Sequence, residues 1–311
     1  YGGLPVFESK VSFLLTQQNL GLMALQIVPY FSYFDKSFRE SQTRNYTLSI
    51  QLWLKGLVFT IYNPEKNKFI GVESYLFSDL ESIDQLPSYL GKVLNNRPSF
   101  AFPYKSVFLL YQNKYSTLIP QPLFSEENKN LYLGFNQPFQ ENSRIVFDTL
   151  KNNDAVNVYY LPNLVVEKAK DFWPNVNILH FSTALIDSLS INFKNQVDQK
   201  TLFINLRIDC FDIVYFKENK LHYYNSFDFH TKEDFIYFLL IAIDQLMLNP
   251  EDVNVILLGY IDKIDDRHRM IHQYIKNYSF ISRNDNYGYS FVLDELRHHQ
   301  YYTLFNALQC E

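Results

Sequence analysis

The chain has 311 residues, which is enough for about two domains, and its charged fraction of 20% is that of an ordinary globular protein. Its 9 glycines are so scattered that only Gly2 and Gly3 lie within two positions of each other. A P-loop and a dinucleotide-binding turn both need closely spaced glycines, so neither can be present in the folded body. The net charge of −5 and the lack of a basic stripe argue against nucleic acid as a partner.

The two cysteines, Cys210 and Cys310, lie far apart in the sequence. Two such thiols form neither a disulfide framework nor a zinc site. We therefore expect no metal centre and a reducing, cytoplasmic location.

Residues 1–45 are expected to form an N-terminal extension of uncertain structure. Its apolar pieces, within Val11–Phe31, are interrupted by the polar run Thr16–Asn19. A basic start and a clear cleavage site are also missing, which argues against a signal peptide, and the pieces are too broken to span a membrane. We expect no membrane partner and interpret residues 1–35 as sequence upstream of the domain, with Met23 as a candidate start.

The sequence contains a repeat, in which Thr47–Phe77 resembles Thr201–Phe229. Both segments alternate apolar and polar residues, for example at Leu48, Ile50 and Leu52. A period of two over eight residues predicts a half-buried strand. Turns at matching positions divide each segment into three strands, so each half is predicted to begin with an antiparallel meander.

The elements after each meander also match, and they define a first half at residues 46–190 and a second half at residues 191–311. In the first half, helices are predicted at 82–95 and 163–172, with strands at 106–111 and 176–181. In the second half, helices are predicted at 233–249, 265–275 and 294–308, with strands at 253–261 and 278–281. Apart from the terminal helix, each half is thus β-β-β-α-β-α-β, a mixed sheet covered by helices.

Two segments have distinctive local signals. Residues 113–154 have no counterpart in the second half, and their prolines predict an insertion with little regular structure. The helix predicted at 233–249 has a capping box, with Thr231 at the N-cap and Asp234 three residues later. Phe235–Ile243 is apolar nearly all round, which predicts a helix buried on several sides.

Two such halves in tandem resemble the actin-like ATPase fold, which belongs to the ribonuclease H-like class. The residues that carry the resemblance are Leu48–Leu52, Ile61–Asn63, Tyr224–Phe227, Thr231–Phe238 and Leu257–Gly259. Over residues 35–311, the sequence resembles one family with this fold, an uncharacterised bacterial domain of unknown function. The resemblance implies the fold and no established activity.

The resemblance also indicates where a nucleotide would bind. Relatives that bind ATP hold its phosphates on glycine-rich turns, because backbone N–H groups approach an anion closely only where side chains are absent. Here the first turn keeps one glycine, Gly56, beside Lys55, which can pair with a phosphate. The second turn has Asp209 and no glycine, and the adenosine-binding stretch keeps only Gly259. The phosphate loops are therefore predicted to be degenerate.

Two functions remain open. The first is a non-catalytic protein-binding module with an actin-like fold, no cofactor and an unknown protein partner. The alternative is a divergent ATP-binding protein or ATPase that uses the cleft between the halves. In that case Lys55, Gly56, Asp209 and Gly259 would hold the nucleotide, and Asp209 or Asp212 would hold magnesium through water.

Other patterns give weaker hypotheses. His268 and His272 share a helix face and suggest a metal pair, whereas Asp209, Asp212 and Asp262 suggest nuclease carboxylates. Aromatic residues make up 17% of the chain, and such residues are enriched at interfaces. The candidate exposed runs are Phe100–Phe102, Tyr287–Tyr289 and Tyr301–Tyr302.

Overall fold

The computed structural model describes residues 27–193 and 200–310. The first half begins with β1 (Phe31–Phe34), β2 (Thr47–Trp53), β3 (Gly56–Asn63), β4 (Lys68–Leu76), α1 (Leu86–Asn96) and β5 (Ser106–Gln112). An insertion follows, with β6 (Ser116–Pro120), α2 (Lys129–Asn136), β7 (Ser143–Thr149) and β8 (Ala155–Pro162). The first half then continues with α3 (Asn163–Phe172), β9 (Asn177–His180) and α4 (Phe181–Phe193).

The second half repeats this pattern without the insertion. It contains β10 (Thr201–Leu206), β11 (Cys210–Lys217), β12 (Lys220–Asp228), α5 (Lys232–Gln245), β13 (Asn254–Gly259), α6 (Asp266–Tyr274) and β14 (Asn277–Phe280). Residues 287–310 are called the C-terminal segment here. They contain β15 (Gly288–Tyr289), α7 (Tyr302–Phe305) and short 3-10 helices.

Five strands of each main sheet have the same order, which confirms the predicted fold, and β1 adds a further edge strand to the first sheet. The first sheet runs β1-β4-β3-β2-β5-β9, and the second runs β12-β11-β10-β13-β14. In each, an antiparallel meander is followed by two strands that pair in parallel. The short strand β15 pairs with β4 beside this common order.

The central strands are buried on both faces, although their alternation predicts half-buried strands. Every residue of β2 and β10 is buried. On one face of β2, Leu48 and Ile50 pack in a core with α1 and α3. On the other face, the polar side chains find internal partners, and the Gln51 Nε2 donates to the Gln112 Oε1 at 2.5 Å. The polar face is buried because a further layer of protein covers it.

That further layer consists of α4 and the C-terminal segment, which lie between the two sheets. In α4, Ala184 packs against the first sheet, whereas Leu185 and Leu189 pack against the second. Residues 181–190 are all buried. The prediction contains no helix here, because a helix surrounded by protein has no polar face to give it a periodic pattern.

α5 differs from its prediction in burial but not in its start. The Thr231 Oγ1 accepts a hydrogen bond from the Asp234 N–H, and the Asp234 Oδ2 accepts one from the Thr231 N–H, both at 3.0 Å. This capping box is as predicted. Burial on several sides is wrong, since α5 covers one sheet face and leaves Tyr237 60% exposed.

The insertion is an ordered subdomain, so the prediction of little regular structure is wrong. Its three strands form a separate sheet in the order β6-β8-β7. α2 packs on this sheet through Leu133, which shares a core with Val156 and Val158. Short strands between prolines gave too little alternation to predict a sheet.

Both ends of the described chain join the first sheet. Phe31–Phe34 pairs with β4, so part of the expected extension at residues 1–45 is a strand of the fold, whereas residues 1–26 lie outside the described residues. The helix predicted at 294–308 is wrong, because Tyr301 has a left-handed φ of 55° and only Tyr302–Phe305 is α-helical. Within residues 27–193 and 200–310, no helix is both long and apolar enough to cross a membrane.

Candidate functional site

The candidate site is the cleft where the carboxyl ends of β2, β5, β10 and β13 meet. The β2–β3 hairpin borders it on one side and the β10–β11 hairpin on the other. Of the four predicted nucleotide-binding residues, Gly259 lines the cavity in this cleft. Lys55 and Asp209 lie at exposed hairpin turns, and Gly56 is buried in the first hairpin.

Gly56 is a packing residue. A Cβ atom at this position would lie 2.5 Å from the Tyr75 carbonyl oxygen and 2.7 Å from the Trp53 Cζ2. Trp53 ends β2 and is buried, so its ring closes over the turn. The Gly56 backbone is covered by protein and is not open to a phosphate.

Lys55 has a partner outside the cleft. Its Nζ donates to the Leu80 carbonyl oxygen at 2.7 Å, and its own carbonyl oxygen accepts from the Phe77 N–H at 2.8 Å. These two bonds fasten the hairpin turn to the segment between β4 and α1. The ammonium therefore contributes to the structure of the turn.

The second hairpin contains a buried ion pair. The Arg207 Nη2 lies 2.8 Å from the Asp212 Oδ1, and these side chains are 4% and 0% exposed. The Asp212 Oδ2 accepts from the Asn205 Nδ2 at 2.8 Å, and the Arg207 Nη2 also donates to the Ser226 Oγ at 2.6 Å. Both charges are thus paired and hydrogen-bonded, as burial of charges requires. Asp212 is engaged by the guanidinium, which disfavours a role in holding magnesium.

Asp209 and Cys210 form the turn that precedes β11. Asp209 is exposed, and its carbonyl oxygen accepts from the Phe229 N–H at 3.2 Å. Cys210 is buried where the first hairpin has Gly56, and burial raises the pKa of its thiol to about 12. A neutral thiol side chain therefore occupies the position at which a phosphate loop would carry glycine.

Gly259 adopts a conformation that other residues rarely take. Its φ is +86°, and a Cβ atom would lie 2.1 Å from the Leu206 carbonyl oxygen. Its N–H donates to the His299 carbonyl oxygen at 3.0 Å. The glycine is therefore explained by close packing, and its N–H is not available to an adenine nucleotide.

Aromatic side chains fill the rest of the cleft. The Tyr260 and Tyr301 rings pack edge to face with centroids 5.7 Å apart. The cavity that Gly259 lines has a volume of about 20 Å³. That is space for roughly one water molecule, and two buried oxygens that line it, Gln51 Oε1 and Thr303 Oγ1, have no hydrogen-bond partner among the described residues. The ATP and magnesium that the fold implies do not fit these residues.

A buried polar network joins the insertion to both halves behind the cleft. The Asp148 Oδ2 accepts from the His180 N–H and from the Thr183 Oγ1, both at 2.8 Å, and its Oδ1 accepts from the Tyr159 hydroxyl at 3.0 Å. Burial raises the pKa of Asp148 to about 6. The carboxylate thus anchors the start of α4 to the insertion.

His180 extends this network to the second half. Its Nδ1 accepts from the Ser182 N–H at 3.2 Å, so the Nε2 carries the proton and donates to the Asn113 Oδ1 at 3.0 Å. The Asn113 carbonyl oxygen in turn accepts from the Arg207 Nη1 at 3.0 Å. Burial and the nearby Arg207 charge lower the pKa of His180 to about 3, so the ring is neutral at neutral pH.

The weaker metal hypotheses gain no support from the geometry. His268 stacks on Phe280 with ring centroids 5.6 Å apart, and the His272 Nδ1 lies 3.0 Å from the Tyr278 hydroxyl. Asp262 accepts from the Arg297 Nε at 3.1 Å. In the part of the chain that the structure describes, no three His, Cys, Asp or Glu residues are grouped so that they could hold a metal ion.

Arg207 is the main residue that sequence reasoning misses. Asn205 pairs directly with Asp212 across the hairpin, and Arg207 lies two positions after Asn205, directly after the end of β10, so all three share one face. The opposite charges of Arg207 and Asp212 on one face of a predicted hairpin could have indicated this ion pair. The partner that brings Arg207 into the network, Asn113, lies in the insertion and has no signal in the local sequence.

Solved structures with the same fold are similar over most of this chain. One from Bacteroides thetaiotaomicron, described as a protein with actin-like ATPase fold and unknown function, is 24% identical with a TM-score of 0.74, over 88% of this chain and 99% of that one. A chain of the PilM-PilN type IV pilus biogenesis complex is 11% identical with a TM-score of 0.57, over 86% of this chain and 99% of that one. No curated protein matches the sequence. These similarities show the actin-like ATPase fold.

The sequence also matches a protein family over most of its length. The match covers residues 35–278, which includes the first half, the insertion and most of the second half. The chain therefore belongs to the family described as "Protein of unknown function (DUF3822)" and has the actin-like ATPase fold.

Proposed function

We propose that this protein is a non-catalytic module that binds another protein, with the duplicated fold as its scaffold. The observation that carries the proposal is the cavity of about 20 Å³ at the nucleotide position. Small-molecule pockets measure roughly 300–1,000 Å³. Opening the cleft to that size would separate the Tyr260 and Tyr301 rings and disturb the buried Arg207, each held by the contacts described above.

Exposed apolar side chains on the insertion support the binding part of the proposal. Phe135 is 88% exposed and Phe139 is 78% exposed, and Leu131 lies one turn before Phe135 on α2 and is also exposed. Grouped apolar residues at a surface are typical of protein-interaction sites. The aromatic runs suggested by the sequence are largely covered instead, as Phe100 and Tyr301 are buried.

A protein of this fold is part of a protein complex in at least one other case. The PilM-PilN structure is a type IV pilus biogenesis complex, and one of its chains has a TM-score of 0.57 to this protein. We also place this protein in the cytoplasm, since Cys210 and Cys310 are both free thiols.

Thermal melting with and without magnesium-ATP tests the first part of the proposal. Ligands that bind only the folded state raise the melting temperature, so we expect no shift with magnesium-ATP. A shift of several degrees that disappears in Asp209→Ala and persists in the matched surface variant Asp79→Ala would overturn the proposal. That result would instead establish the divergent ATP-binding protein.

Affinity capture from native lysate tests the second part. We expect the full chain to retain a protein that the double variant Phe135→Ser, Phe139→Ser does not retain. Ile264→Ser is the matched control, because Ile264 is 86% exposed but lies in the second half. Equal capture by both variants and the unchanged chain would remove the insertion surface from the proposal.

A further inference from the structure

A groove runs between the insertion and the second half, away from the nucleotide position. It has a volume of about 680 Å³. Residues 114–118 and 136–138 line one side, and residues 224–226 and 228 line the other. Neighbouring residues of a strand point to opposite faces of its sheet. Because residues 114–118 and 224–226 line the groove consecutively, the groove faces the edges of these strands and not one face of either sheet. The walls are the edges of β6 and β12.

Both strands are terminal in their sheets. Among the described residues, β6 pairs only with β8, and β12 pairs only with β11. The free edge of a strand presents alternating N–H and C=O groups that can pair with another extended chain. The groove therefore has two such edges along its walls.

The direction of the backbone groups on β6 follows from two hydrogen bonds. The Tyr115 carbonyl oxygen accepts from the Tyr160 N–H of β8, whereas the Ser116 carbonyl oxygen accepts from the Gln137 side chain outside the small sheet. Because direction alternates along a strand, the N–H and C=O groups of Leu118 also point away from β8. They point toward the groove, which Leu118 lines. The Ser116 N–H donates to the Lys114 carbonyl oxygen at 3.1 Å and Pro120 has no N–H, so Leu118 provides the backbone groups of β6 that a ligand can use.

The same alternation applies to β12. The Phe229 N–H donates to the Asp209 carbonyl oxygen on the β11 side, so the backbone groups of Ser226 and Tyr224 point away from β11. In agreement, the Ser226 N–H is satisfied by the neighbouring Asn225 Oδ1 at 2.9 Å and not by β11. A flexible side chain of this kind can give way to the backbone of a ligand.

The side chains around the groove indicate the chemistry of its ligand. Lys114 and Asp228 are the charged residues among the described ones that line the groove, and they form an ion pair with each other. The other lining side chains are uncharged, so the groove favours a segment without net charge. Phe135 and Phe139 flank residues 136–138 in the sequence and are highly exposed, and they can pack with apolar side chains of that segment.

We propose that this groove binds an extended, uncharged peptide segment of the partner protein, which adds as a β-strand along the β6 and β12 edges. The inference rests on the proposed protein-binding function and names its binding site. Strand addition supplies affinity through main-chain hydrogen bonds, and apolar side chains at alternate positions supply specificity.

Selection from a phage-displayed library of random linear peptides on the full chain tests this inference. We expect the selected peptides, once synthesised, to bind at least tenfold more weakly to Asn225→Trp, which fills the groove from an exposed position. The matched control His222→Trp lies on β12 outside the groove lining and should bind normally. Both variants should melt near the temperature of the unchanged chain.

N-methylation of the peptides gives a second reading. Methyl groups on either set of alternate amides within the bound segment should weaken binding, because one set of amides faces β6 and the intervening set faces β12. Methyl groups on amides outside that segment should have no effect. Peptides insensitive to Asn225→Trp, peptides that still bind after methylation of these amides, or no selected peptide would each overturn the inference. A melting shift with magnesium-ATP that disappears in Asp209→Ala and persists in Asp79→Ala would overturn the proposed function instead, so the two failures are distinguishable.

Discussion

The two hairpins at the cleft occupy equivalent places in the duplicated fold, yet their inward-facing positions have different chemistry. In the first hairpin, Gln51 pairs across the strands with Val58, and in the second, Asn205 pairs with Asp212. Two positions after Gln51 is Trp53. The corresponding residue after Asn205 is Arg207.

An apolar contact and an ion pair therefore serve the same structural purpose. Trp53 and Val58 belong to the core between the first sheet and the C-terminal segment. Arg207 and Asp212 form a buried ion pair, and the Arg207 Nη1 and Nη2 also donate to the insertion and to β12. The second hairpin, which contacts the insertion, is the one with the ion pair. Its hydrogen bonds connect the β10–β11 hairpin with β12 and with the insertion. In both hairpins, the side chains that close the cleft also stabilise the structure around it.

Removing the Arg207 charge should have the largest effect on this arrangement. Arg207→Met leaves Asp212 buried and unpaired, and breaking a buried pair in this way costs about 3–5 kcal/mol. Urea unfolding of the variant should show a loss of stability of this size. Trp53→Met in the first hairpin is the matched comparison and should cost less, since it leaves no unpaired charge.

A double variant separates the loss of the pair from the loss of packing. Arg207→Met with Asp212→Leu removes both charges and should recover most of the stability lost in Arg207→Met. A double variant as unstable as the single one would mean that the wider network with Asn113 and Ser226, and not the ion pair, stabilises this hairpin.

The buried polar network of Arg207 extends through Asn113 and His180 to Asp148. The pH dependence of stability should reveal the contribution of Asp148. The folded-state pKa of about 6 lies above the ordinary value of 3.8, so folding favours the protonated carboxyl and stability falls as the pH rises from 4 to 7. Asp148→Asn lacks this titration. Its stability relative to the unchanged chain should therefore improve by about 2 kcal/mol over that pH range.

Urea unfolding at several pH values between 4 and 7 measures this difference. His180 titrates with the opposite sign, because its lowered pKa makes stability fall as the pH drops below 6.5, but it does so in both proteins and cancels. The exposed variant Asp79→Asn should show no such trend. A constant difference between Asp148→Asn and the unchanged chain would contradict the raised pKa.

The equivalent residues Gly56 and Cys210 sharpen the comparison at the turns. Gly56→Ala places a Cβ atom 2.5 Å from the Tyr75 carbonyl oxygen, which must move. Such overpacking typically costs about 2 kcal/mol. Cys210→Ala only removes a sulfur atom from a buried site and should cost about 1 kcal/mol. Thermal unfolding of both variants checks the order, and equal losses would mean that the first turn relaxes around the added methyl group.

Local sequence signals were sufficient for most of the fold. The alternation at Leu48 and Ile50, repeated in the second half, placed the meanders, and the Thr231 capping box placed the start of α5. These features depend on residues within a few positions of one another. The strands of the insertion and the buried α4 were missed, because each depends on cores formed with distant segments.

The candidate site was predictable in position but not in content. The duplicated pattern located the two turns and Gly259, and the scarcity of glycine indicated poor phosphate loops. The closing of the cleft depends on Tyr301, which arrives from the end of the chain and whose left-handed φ of 55° interrupts the expected terminal helix. The contact between Arg207 and Asn113 spans 94 positions, so no local pattern records it.

The exposed turn residues should give the smallest effects. Lys55→Ala removes one hydrogen bond, from its Nζ to the Leu80 carbonyl oxygen, and Asp209→Ala removes an exposed carboxylate. Surface substitutions of this kind usually change stability by less than about 0.5 kcal/mol. Thermal melting without nucleotide should therefore show both variants close to the unchanged chain, and far from Arg207→Met. A large loss in Asp209→Ala would mean that this carboxylate contributes to the hairpin as Asp212 does. Small losses in both would show that the chain does not depend on the two polar groups best placed for a phosphate or magnesium ion, whereas it depends strongly on the side chains that fill the cleft.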